Sequence, residues 1–109
     1  MSLDHQERTT KIRESGVLTP DTSALASEIV ATDRRFNSEF LRRKSQLDEG
    51  NLEEVLSFYD PLLDSWSSAL EDFERDTNEA RLGVALRRID RALRAGADAL
   101  KRDGRLPSQ

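Results

Sequence analysis

The apolar residues of this chain recur at steps of three and four in three long runs, the spacing that gathers side chains on one face of an α-helix. The first run holds Leu25, Ile29, Thr32, Phe36, Phe40 and Leu47. The second holds Leu52, Val55, Leu56, Tyr59, Leu62, Leu63, Trp66, Leu70 and Phe73, and carries most of the aromatic mass. In the third, Leu82, Leu86, Ile89, Leu93 and Leu100 form an apolar seam. Beside that seam lies a strip of small residues, Ala85, Ala92, Gly96 and Ala99. Before the first run, residues 1–16 carry few apolar side chains; Leu3 and Ile12 are too isolated to make a stripe, and Gly16 closes the segment.

Boundary residues divide these runs into helices. Thr19-Pro20 predicts a helix start, because threonine can cap free amides and proline is already in helical φ. Asp48-Glu49-Gly50-Asn51 predicts the end of that helix. Pro61 falls inside the second run, where it removes one backbone hydrogen bond and clashes with the preceding turn. A kink near Phe58 to Asp60 is expected, since the stripe keeps its phase across the proline; the alternative is a new helix capped by Asp60. Asp76 followed by Glu79 predicts the start of the third helix, and Gly104 and Pro107 its end. The expected fold is all-α: an antiparallel three-helix bundle over 19–104 with a kinked middle helix, able to dimerise into a larger bundle. Residues 1–18 are expected as a tail or short helix and 105–109 as a tail.

Composition narrows the reading. At 109 residues the chain suits one domain, and although 35% of it is charged against 36% hydrophobic, the apolar residues are periodic rather than diluted. A core of this size supplies only ~3 to 5 kcal/mol of net stability, a deficit that oligomerisation would repair. There is no cysteine, hence no disulfide or thiolate chemistry. No apolar run approaches the ~20 residues of a membrane span, and 1–16 lacks the apolar stretch of a signal peptide, so a cytoplasmic location is expected.

Charge is segregated by segment. From Asp48 to Glu79 the one basic residue is Arg75, whereas from Arg81 onward arginine and lysine dominate. The short connection makes the second and third helices antiparallel neighbours, so their flanking charges are expected to attract. On a helical wheel Arg87, Arg91, Arg94 and Arg102 point away from the Leu82 to Leu100 seam, and they are the expected partner-binding residues. A cationic helix face suits an acidic protein surface; it could also take nucleic-acid phosphates. Against the latter, the chain carries a net charge of −4, no aromatic interleaves the arginines, and Asp90 and Asp98 interrupt them. The small strip Ala85, Ala92, Gly96, Ala99 permits close approach of another helix, within the chain or from a second copy, and marks the expected self-association surface. Off-stripe Val30, Leu41, Phe58 and Val84 would form a partner surface if the fold brings them together.

Signs of chemistry are absent from the motifs. The sole histidine, His5, lies in the weakly patterned N-terminus, and no Glu-x-x-His motif of ferritin-like metal sites occurs. No catalytic residue, metal, cofactor or small-molecule substrate is expected. Trp66 and Tyr59 are expected in the core with their polar tips near the bundle surface. Arg43 falls on the first apolar stripe, where it either snorkels to the edge of the core or pairs with an acid of the second helix. The expected function is a non-catalytic protein-interaction module such as an adaptor, regulatory subunit or chaperone-like protein, with a nucleic-acid-associated regulator as the alternative.

Overall fold

A computed structural model describes residues 2–106, with side chains described from residue 4 onward. The fold is all-helical, with four helices packed together: α1 (Ser2–Glu14), α2 (Pro20–Arg43), α3 (Glu49–Asp76) and α4 (Glu79–Asp103). A 3-10 turn, Lys44–Gln46, joins α2 to α3. The N-terminal segment is therefore a fourth packed helix, and a bundle of three helices does not account for the whole chain. The molecule measures 43 × 21 × 19 Å, about the length of the 28-residue α3 at ~1.5 Å per residue, and about two helices thick.

Helix ends depart from the boundary expectations in instructive ways. Asp48 does not close α2; its carboxylate accepts from the Asn51 amide at 2.8 Å and starts α3, so Gly50 lies within the first turn of that helix. α3 runs on through Pro61 to Asp76 and ends where Thr77 turns left-handed (φ 53°), donating its amide to the Phe73 carbonyl at 2.8 Å. Asn78, rather than Asp76, caps α4 by accepting from the Arg81 amide at 3.1 Å. Asp76 instead receives the Asn78 amide at 3.0 Å and pairs with Arg81. Gly104, at φ 74°, closes α4 in the conformation glycine adopts most cheaply. Pro107, the expected stop, lies outside the described residues.

Cross-helix partners fix the directions. Thr19 meets Glu79, Thr32 meets Arg94 and Arg43 meets Lys101, so α2 and α4 run parallel with α3 antiparallel to both. α1 lies against α2 and α3: Gln6 reaches Asp33, and Thr9 reaches Trp66. Trp66, Phe36, Ile29, Leu70, Leu86, Leu93, Leu100 and Val55 are the largest fully buried apolar side chains, and they come from all three long stripes. Leu106 also packs into this core, so the segment after Gly104 is not wholly a tail. Two expectations about exposure reverse. Off-stripe Val30 is buried, while on-stripe Leu56 is 51% exposed.

Candidate interaction surfaces

The solvent face of α4 carries Val84, Arg87, Arg88 and Arg91 within two helical turns. All four are exposed, and no ion pair forms to the three arginines among the described residues. The expected set of four arginines divides here. Arg94 turns toward α2, donating to the Thr32 hydroxyl at 3.4 Å and to Asp90 at 3.2 Å. Arg102 donates to the neighbouring Asp103 at 3.2 Å, and this hydrogen bond first, with the carboxylate's charge second, raises its pKa above the ordinary guanidinium value. Arg102 thus stays a cation but a locally engaged one. Arg87 and Arg91 remain open, joined by Arg88, which projects beside them.

Acidic α3 and basic α4 do not neutralise each other along their length. The one ion pair joining them among the described residues is Arg81 to Asp76 at their connection. Instead Arg35 of α2 pairs with Asp98 of α4, and Arg8 of α1 pairs with Glu74 of α3 at 3.3 Å. Exposed pairs of this kind contribute ~0 to 1 kcal/mol, so they orient helices more than they hold them.

The small-residue strip is largely consumed within the chain. Gly96 and Ala99 are buried, and a Cβ at Gly96 would come within 2.8 Å of the Phe58 ring and 2.9 Å of Phe36. Close approach is the reason for glycine here, but what approaches is two aromatic rings of α2 and α3. Phe36 in turn stacks on Tyr59 at 5.0 Å between centroids. Ala85 and Ala92 remain half-buried; Ala85 lines a shallow groove with Asp64, Ser65, Ser68, Ala69, Asp72 and Arg81.

Arg43 finds a different partner from an α3 acid: it donates to the Lys101 carbonyl at 2.9 Å, capping the last turn of α4, where the helix dipole favours a cation.

A polar seam beneath α1 was missed by reasoning from apolar periodicity. The Asp33 carboxylate, fully buried, accepts from the Gln6 amide and the Tyr59 hydroxyl, each at 2.6 Å. Asn37 donates to Tyr59 at 3.0 Å and to the Asp33 carbonyl at 2.8 Å. Arg34 donates to the other end of the Gln6 amide at 3.1 Å. One turn along, the fully buried Trp66 indole donates to Thr9 at 3.0 Å, and His5 tilts against its ring at 5.5 Å. The Trp66 tip does not reach the bundle surface, because α1 supplies its acceptor, whereas Tyr59 stays half-buried with its hydroxyl between Asn37 and Asp33. The His5 Nδ1, also buried, has no partner among the described residues.

Among the described residues no group of three His, Asp or Glu side chains converges as a metal site requires, and no helix is long and apolar enough to cross a membrane. Comparison with protein-family models, with curated proteins and with solved structures found no match to this chain.

Proposed function

We propose that the chain is a non-catalytic protein-interaction module that engages an acidic protein surface through the exposed cationic face of α4. The observation that carries this reading is the row Val84, Arg87, Arg88, Arg91: an apolar side chain 50% exposed, continued by three cations that no carboxylate of the described chain neutralises. Arginine suits such a role because its planar fork can grip a carboxylate with two hydrogen bonds. A partner covering this row gains apolar burial at Val84 and charge pairing beyond it. Self-association is the companion reading: a core this small gains from a second copy, and Val84, Leu41 and Leu56 offer exposed apolar area.

The deciding experiment compares the chain with an Arg87→Glu, Arg91→Glu variant by light scattering on a sizing column and by quantitative affinity capture. Loss of captured proteins, or of a dimer, in the variant supports the face. A variant that keeps every protein and the same mass ends the reading. Titration with duplex and single-stranded DNA at low salt runs beside it; binding there that falls steeply with salt would move the assignment to nucleic acid.

A further inference from the structure

We infer that the acidic surface taken by the α4 arginines is the outer face of α3 on a second copy of this chain, which rests on the reading of α4 as the binding face and names its partner. Two copies pair about a two-fold axis, with Arg87 and Arg91 of each on Asp60 and Asp64 of the other.

α3 presents a charged row of its own. Glu53, Asp60, Asp64 and Glu71 recur at steps of seven and four, which places them on one side of the helix, opposite the buried Val55, Trp66 and Phe73. All four are exposed, and none forms an ion pair among the described residues. The α3 acids that do pair with arginines, Asp72, Glu74 and Asp76, lie off this row.

The acidic row and the arginine row border one shallow groove. Asp64 lines it from α3, and Arg81 and Ala85 line it from α4. Arg88 stands two turns beyond Arg81 on the same side of α4. One face of the molecule therefore carries carboxylates along one edge and guanidinium groups along the other, and that combination selects the partner. A nucleic acid or a uniformly acidic protein laid over the arginines would meet the α3 carboxylates and be repelled. The face calls for acid opposite its base and base opposite its acid, which is what the same face offers when turned by a two-fold rotation.

Register favours the same occupant. Phe58 against Gly96 and Asp76 against Arg81 align the antiparallel α3 and α4, which sets Arg87 and Arg91 beside Ser68 and Asp64. Asp60 and Asp64 are centred about one helical turn further along. A two-fold axis crossing the groove between these levels exchanges them, and because the levels lie near the middle of the 28-residue α3, the copies overlap along most of their length. The rotation also sets α4 of one copy parallel to α3 of the other, so the step from Arg87 to Arg91 matches that from Asp60 to Asp64. Val84 and Ala95, exposed on the arginine side, add apolar contact. A face of 43 by 21 Å is large enough for the ~800 Å² per partner of a standard interface.

Light scattering on a sizing column at low salt, over a range of loading concentrations, reads the mass of four samples: the parent, Arg87→Glu with Arg91→Glu, Asp60→Arg with Asp64→Arg, and the two variants mixed. The parent should rise with concentration from 12.4 kDa towards twice that mass, and fall back as salt screens the pairs. Each variant alone sets like charges against like and should dimerise on the order of a hundredfold more weakly. Mixed, the variants regain opposite charges at both contacts and should form the dimer again, a recovery that neither misfolding nor a merely adhesive patch produces. A parent that stays at 12.4 kDa, a variant that dimerises as the parent does, or a mixture that stays monomeric would each overturn the inference. Should Asp60→Arg with Asp64→Arg fail to fold, Asp60→Asn with Asp64→Asn replaces it: about tenfold weaker dimerisation supports the contact, and a dimer as tight as the parent's overturns it. Foreign acidic proteins captured through Arg87 and Arg91 by a chain that stays monomeric would leave the reading of α4 standing and overturn the second copy as its partner.

Discussion

The buried indole of Trp66 donates to the Thr9 hydroxyl at 3.0 Å, and the same hydroxyl donates to the His5 carbonyl at 2.7 Å. Thr9 therefore both accepts from the core and closes a turn of its own helix. Thr9→Val keeps the shape but leaves the indole N–H buried without an acceptor, which should cost about 1 to 3 kcal/mol. Urea unfolding of Thr9→Val and Thr9→Ser checks this: serine keeps the acceptor and should lose much less. Fluorescence of Trp66, the sole tryptophan, should redden in the valine variant if α1 lifts.

Gly83 and Gly96 lie on the same helix and should respond to alanine with opposite signs. At Gly83 the nearest atom to an added Cβ is the Thr22 hydroxyl at 4.0 Å, so Gly83→Ala gains helix propensity without a clash, stabilising by about 0.5 to 1 kcal/mol. At Gly96 the added carbon meets two rings at 2.8 and 2.9 Å. Both rings are packed, so Gly96→Ala should cost about 1 to 3 kcal/mol despite the same propensity gain. Thermal unfolding of the two variants side by side reads the difference directly.

Long helices were legible in the sequence because each buries one apolar face, and burial imposes the period. The packing of α1, expected as a tail or short helix, was not, since the side chains it buries most deeply among the described residues are Gln6 and Thr9, which a search for apolar residues passes over. A signal existed in α2: Asp33 stands four residues after Ile29 and three before Phe36, squarely on the buried stripe, and an acid there calls for a donor from elsewhere. The arginine face was legible only in part. A helical wheel gives direction from the axis, which suffices for Arg87 and Arg91, but not the reach of neighbours, and so it cannot foresee that Arg94 would find Thr32 and Asp90. Gly96 was expected to admit a neighbouring helix backbone; it admits the Phe58 and Phe36 rings instead, because a one-dimensional pattern does not say whose atoms approach.

Arg43 tests whether capping a helix from another helix matters for stability. Arg43→Met keeps most of the apolar stem and removes the bond to the Lys101 carbonyl, with an expected loss of about 1 kcal/mol. Arg43→Lys keeps a cation within reach of the same carbonyl and removes the buried Nε that has no partner among the described residues, so it should sit near the parent. Denaturant midpoints of the two variants that coincide would sink the capping role.

Pro61 stands exposed in the interior of α3, where it cannot donate to the Ser57 carbonyl one turn back. A proline in a helix interior costs ~3 kcal/mol or more, while its rigidity in the unfolded chain returns ~0.4 to 1 kcal/mol. Its exposed ring supplies little packing to lose. Pro61→Ala should therefore stabilise the chain by about 2 kcal/mol, with slower hydrogen exchange of amides near Tyr59 to Leu63. A variant no more stable than the parent would mean that the backbone around Ser57 already departs from α-geometry, so that the freed carbonyl is not aligned to accept the new amide. In that case the proline sits in a kink that the surrounding packing, with Phe58 against Gly96 on one side and Tyr59 against Asp33 on the other, holds in place.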